Sequence, residues 1–187
     1  MPILPAPDNQ RTGHLSHWSG LYGAGVSLAI AEAAQRHDYL SLVLTDTPQS
    51  ASQIRRELAF FVDESLEILN FADWETLPYD LFSPHQDIIS ARLYTLARLG
   101  KPGKAILVAP INALMHRLPP PSFFNGRTFQ YRVGEKICRD LLRKQLEQAG
   151  YACVGTVYEH GEFALRGSLI DIFPMGCEQP FRIDLFD

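Results

Sequence analysis

The stretch Gly20-Leu21-Tyr22-Gly23-Ala24-Gly25-Val26-Ser27 constrains this chain more than any other, because it has the form of a phosphate-binding loop without its charge. Such a loop reads G-x-x-x-x-G-K-[ST]: the glycines let backbone N–H groups wrap a phosphate, the lysine reaches the terminal phosphates, and the hydroxyl holds Mg²⁺. Gly20, Gly25 and Ser27 stand in register, Gly23 adds a further glycine, and Val26 occupies the lysine position. An apolar side chain cannot offset phosphate charge. The loop therefore keeps the form of a nucleotide site and lacks the group that would give it affinity. A Gly-rich turn opening a helix also occurs in α/β proteins that bind nothing there, and the motif alone does not separate the two readings.

The surrounding pattern is α/β. Ser27 to Arg36 is Ala-rich with helical period, Leu40 to Thr45 is a short apolar run suited to a buried parallel strand, and Thr47-Pro48 caps and opens a helix with Ile54, Leu58 and Phe61 inward. Leu66 to Phe71 is a strand candidate. Asp87 is a candidate cap for a helix with the stripe Ile89, Leu93 and Leu96, and Lys104 to Ala109 is an apolar strand followed by a helix from Ile111 to Leu118. These units predict a P-loop-NTPase-like, three-layer domain with a mostly parallel sheet over residues 15–121, behind a disordered lead-in at 1–14. Pro119-Pro120-Pro121 marks its end. A smaller α+β module over 122–187 follows: a strand at Arg127 to Val133, a helix at Arg139 to Ala149, and short strands at Cys153 to Tyr158, Phe163 to Arg166, Ser168 to Phe173 and Phe181 to Phe186. The stop at Asp187, directly after a strand, suggests a fragment boundary.

A formal net charge of −4 gives no support to a general nucleic-acid footprint. Glu135 and Asp140 interrupt the one basic cluster, Arg132, Lys136, Arg139, Arg143 and Lys144. Three scattered cysteines and the pair His14 and His17 offer neither a disulfide framework nor a metal site, and no apolar run approaches membrane-spanning length. The expectation is a cytoplasmic protein without a membrane partner. Between Phe71 and Asp87 lies a long connection dense in aromatics, where Trp74, Tyr79 and Phe82 either stack on bases or, as composition favours, pin the loop onto the sheet. In the last strand candidate, period two puts Phe181, Ile183 and Leu185 on a core face and Arg182, Asp184 and Phe186 on the other.

The run Ala72-Asp73-Trp74-Glu75-Thr76-Leu77-Pro78-Tyr79-Asp80 with Ser83-Pro84-His85-Gln86-Asp87 carries a family resemblance. So do Glu159-His160-Gly161-Glu162, Arg166-Gly167 and Phe173-Pro174-Met175-Gly176. From about Leu15 onward the chain resembles the amino-terminal region of the bacterial transcription-repair coupling factors (Mfd), which are similar to the damage-recognition protein UvrB. The resemblance implies a UvrB-like NTPase fold that has lost its lysine, and then a UvrB-domain-2-like module that binds UvrA through Arg166, Arg182 and Phe186. It implies no catalysis and no cofactor for this fragment, with ATP and Mg²⁺ used by a translocase motor elsewhere in the parent protein. RNA polymerase and DNA would be met only through downstream domains, and the remainder of the parent chain would mask the second module. UvrB's long aromatic hairpin has no counterpart here. The alternative is a nucleotide-dependent helicase or ATPase domain, which Val26 and the lack of an Asp-Glu pair after Asp46 weigh against.

Overall fold

The computed structural model describes residues 15, 17–76, 80–101, 103–124 and 131–185. The lead-in, Tyr79 and Phe186 lie outside these. The chain forms two compact units: Met1–Asp73 with Lys101–Arg117, and Trp74–Gly100 with Leu118–Asp187. These units do not follow the single boundary expected at residue 121, because the segment 74–100 groups with the second.

The first unit is built from α1 (Gly25–Gln35), β1 (Leu40–Thr45), α2 (Pro48–Phe61), β2 (Glu67–Asn70), β3 (Ala105–Pro110) and the single turn α4 (Ile111–Leu114). Its sheet has the order β1-β3-β2 and is parallel throughout. The central strand β3 is buried along its whole length, which is why its sequence is an unbroken apolar run. Strand β1 is an edge strand. Leu40, Leu42 and Leu44 are exposed, against the expectation of a buried strand, while Val43 packs into the cluster formed by Ala31, Ala34, Ala51, Leu58, Leu66, Ile106 and Val108. Helix α2 begins as its sequence predicts: Thr47 Oγ1 accepts from the Ser50 N–H and Pro48 takes the first turn.

The second unit contains α3 (Gln86–Leu99), a 3₁₀ turn (Pro121–Phe124), α5 (Arg139–Gln148) and four short strands: β4 (Ala152–Cys153), β5 (Glu162–Arg166), β6 (Leu169–Phe173) and β7 (Phe181–Asp184). They lie in chain order, with β4 parallel to β5 and the rest antiparallel. Leu142 and Leu146 of α5 pack on Phe163, Ile170 and Ile172, with Ile183 and Leu185 against the same cluster. The predicted strand at Cys153 to Tyr158 shrinks to two residues, and Tyr131 to Val133 are not in a strand.

Helix α3 departs from its expected stripe. Its most buried residues are Ser90, Arg92 and Thr95, and Ile89, Leu93 and Leu96 are only half-buried. Polar partners explain this: the Gly176 N–H donates to Ser90 Oγ at 2.7 Å, and the Arg92 guanidinium lies 4.1 Å from the Trp74 ring centroid. His85, not Asp87, caps the helix, its Nδ1 accepting from the Asp87 N–H. Trp74 thus packs on α3 of the second unit and not on the parallel sheet, and Phe82 is exposed.

Candidate functional site

Directly paired residues of an antiparallel sheet share a face. The register Ala164↔Asp171 and Asp171↔Arg182 therefore sets those three in one row, on the face opposite Phe163, Ile170, Ile172 and Ile183. Arg166 closes the two-residue β5–β6 turn on the same side, paired with Leu169. The result is a face with two arginines around one carboxylate. Arg182 Nε donates to Asp171 Oδ1 at 2.6 Å and Nη2 to Oδ2 at 3.0 Å, a bidentate fork. Arg166 Nη2 donates to the Gly155 carbonyl at 2.6 Å and to Thr156 Oγ1 at 3.0 Å.

Exposure divides the roles. The Arg182 side chain is 60% exposed and that of Asp171 only 17%. The hydrogen bond from Arg182 holds the Asp171 carboxyl below its usual range, with the charges of Arg182 and Arg166 adding to the effect. Together with Phe181, Thr156, Val157 and Pro180, these three residues line a shallow pocket of about 330 Å³.

Residues 129–187, which include every residue of this pocket, match the family described as the UvrB interaction domain. A transcription-repair-coupling factor of Escherichia coli (strain K12) is 47% identical over 167 residues, covering 89% of this chain and 14% of the relative. The chain is strongly homologous to the amino-terminal region of the transcription-repair-coupling factors. A relative of that name in Haemophilus influenzae is 45% identical over 86% of this chain, and one in Staphylococcus aureus (strain USA300) is 30% identical over 90%. The chain spans 14% of the length of each of these relatives.

Of the three residues expected to meet a partner, Arg166 and Arg182 come together on one pocket, and Phe186 lies outside the described residues. Phe181 keeps the core-side register expected of it, opposite Ile172, but it is 54% exposed and borders the pocket instead of being buried. It starts an edge strand, where the sheet no longer covers it. Asp171 was legible in principle, since an Asp inside the alternating run Leu169-Ile-Asp-Ile-Phe173 must face away from the core.

The motifs that carried the resemblance hold the unit together. The Glu162 carboxylate accepts from the N–H groups of Tyr158 and Glu159 at 2.8 and 2.9 Å, which keeps its carboxyl below the usual range. His160 stacks on Phe173 with ring centroids 3.9 Å apart. Its Nδ1 lies 2.9 Å from Asp87 Oδ1 and its Nε2 2.8 Å from the Cys177 carbonyl. The Met175 N–H donates to the Tyr151 hydroxyl at 3.0 Å.

In the glycine loop, Gly20 and Gly23 have φ of +74° and +53°, and Gly25 already begins α1. No strand leads into it among the described residues. The Gly25 N–H donates to the Tyr22 carbonyl at 3.0 Å. Ser27 is fully buried, and its hydroxyl donates to Glu57 Oε2 at 2.6 Å, holding that carboxyl below its usual range with help from Gln53. The hydroxyl that a nucleotide loop would turn toward Mg²⁺ is thus engaged by α2, and Val26 is partly exposed beside it. In the basic cluster, Arg143 pairs with Glu147 at 2.8 Å and Arg139 Nη1 donates to the Gly167 carbonyl at 2.9 Å. Among the described residues no group of three or more His, Cys, Asp or Glu side chains is arranged to hold a metal ion, and no helix is long and apolar enough to cross a membrane.

Proposed function

We propose that this chain is a non-catalytic recruitment module that binds UvrA on behalf of a transcription-repair-coupling factor. The observation that carries the reading is the pocket of Arg166, Arg182 and Phe181, which falls wholly within the residues matching the UvrB interaction domain. Two arginines on a solvent face with a half-exposed aromatic bordering the same pocket have the composition of a binding hot spot. An arginine offers a planar fork suited to carboxylates, and a half-exposed ring adds contact area at small entropic cost. Phe186 is assigned to the same contact on the family resemblance of the sequence alone. The glycine loop, with Val26 at the lysine position and Ser27 bonded to Glu57, serves as a structural remnant of a nucleotide site. ATP-driven translocation, polymerase and DNA contacts belong to the remainder of the parent protein, which also masks the pocket until UvrA is needed. The setting is the bacterial cytoplasm.

The test is UvrA affinity beside thermal melting for point variants of this chain. Arg182→Ala should weaken binding by about 2 kcal/mol or more with little change in melting, because its side chain is mostly exposed. Ile183→Ala, which packs on the core cluster, should lower the melting temperature instead. UvrA binding that is absent in this chain without substitution, or unchanged in Arg182→Ala, would remove the proposed face.

A further inference from the structure

Building on the reading of this face as the UvrA site, we propose that Asp171 is a positioning residue. It locks Arg182, beside Arg166, into a preformed receptor for an acidic side chain of the partner. The geometry shows how. Asp171 takes the Nε and Nη2 edge of Arg182 and leaves the Nη1 donors of a 60% exposed guanidinium for an incoming carboxylate. Arg166 is pinned by one nitrogen only, Nη2, on Gly155 and Thr156. Two guanidinia lining one pocket repel each other, and the carboxylate lies between them: directly across from Arg182, and one diagonal step from Arg166 because its partner on β5 is Ala164. The trio keeps one net positive charge, so it still attracts an acidic group.

Preorganisation sets the sign of the effect. A free arginine must surrender its rotamer freedom when it binds, whereas one already held in a fork has lost most of it beforehand. If charge alone governed the pocket, removing the Asp171 carboxylate would make it more positive and tighten the complex. If Asp171 acts by holding Arg182, the same change loosens it.

The experiment is a double-mutant cycle on UvrA affinity with Asp171→Asn, Arg182→Ala and the pair, each variant checked by circular dichroism. Asp171→Asn should weaken binding about tenfold, chiefly through a faster dissociation rate. In the Arg182→Ala background it should add almost nothing, because Asp171 acts through Arg182. Arg182→Lys leaves Asp171 in place and keeps the charge without the fork, so it should lose nearly as much as Arg182→Ala. A readout independent of UvrA is the Arg182 Nε–H resonance by NMR, slow to exchange in the parent chain and fast in Asp171→Asn. Tighter or unchanged binding of Asp171→Asn, an equal loss in the Arg182→Ala background, full binding by Arg182→Lys, or an Nε–H resonance insensitive to Asp171 would each overturn the role of Asp171. Those outcomes differ from failure of the face itself, in which Arg182→Ala leaves UvrA binding untouched.

Discussion

Replacing Gly176 by Ala tests whether the Phe173-Pro-Met-Gly176 turn is seated on α3. Gly176 has φ +83°, a left-handed conformation that costs an L-residue about 1–2 kcal/mol. The smaller unfolded-state entropy of Ala returns about 0.4–1 kcal/mol, leaving a net strain of about 1 kcal/mol. The added Cβ would also lie 3.3 Å from Tyr94 Cβ and 3.4 Å from Tyr94 Cδ2, closer than ordinary contact. Because the Gly176 N–H is fixed on Ser90 Oγ, the turn cannot slide away freely, and the overlap adds about 1 kcal/mol, the low end for overpacking. Gly167 is the control. It has φ +61° with nothing within 4 Å of a built Cβ, so Gly167→Ala should cost the strain alone, about 1 kcal/mol. The assay is urea denaturation followed by Trp74 fluorescence in a Trp18→Phe background, since Trp74 belongs to the same unit and packs with Arg92 of α3. Gly176→Ala should lose about 2 kcal/mol, and its excess over Gly167→Ala should vanish when Tyr94 is also Gly, which removes the Cβ that an alanine would keep. Equal costs for the two glycines would refute the seating of the turn on α3.

Two further expectations concern the loop and the pocket. Titration with a fluorescent ATP analogue and Mg²⁺ should show no low-micromolar binding, and Val26→Lys alone should not create it, because Ser27 stays bonded to Glu57; micromolar affinity in either protein would revise the account of the loop. The Asp171 carboxyl is lowered in the folded state from a usual value of 3.8, so its contribution to stability is complete above that value and is lost as pH falls through the lower folded value. Melting between pH 7 and 5 should therefore be the same for the parent chain and Asp171→Asn apart from a constant offset, with the offset shrinking only below about pH 4; an offset that shrinks near pH 6 would assign the titration to another group.

What the sequence disclosed was mostly local or periodic. Thr47-Pro48 announces α2, the apolar run of β3 announces a central strand, and alternation from Phe163 to Asp184 assigns Arg182 and Ile183 to opposite faces. The surprises arise from partners far along the chain. Ser90 and Asp87 face Gly176 and His160, 86 and 73 residues away, so the apolar stripe of α3 misled about which side is buried. Helical period records hydrophobicity and is silent about a helix whose buried side is hydrogen-bonded. Likewise, a run such as Leu40 to Thr45 does not reveal whether its strand is central or at an edge. The fork between Asp171 and Arg182 becomes visible only once the register of β6 and β7 is known.

Neither edge strand of the parallel sheet touches the other; each pairs only with β3, the last of the three to be made. A chain growing from its amino terminus can therefore close no part of that sheet until Pro110 has left the ribosome. Helix α3 emerges before β3, yet the donor to Ser90 on its buried side is not synthesised until Gly176. A polypeptide stalled between Arg117 and Gly176 would have finished its first unit while Ser90 still lacked its donor, and that interval is where premature termination or a translational pause would expose the chain most to proteases and chaperones.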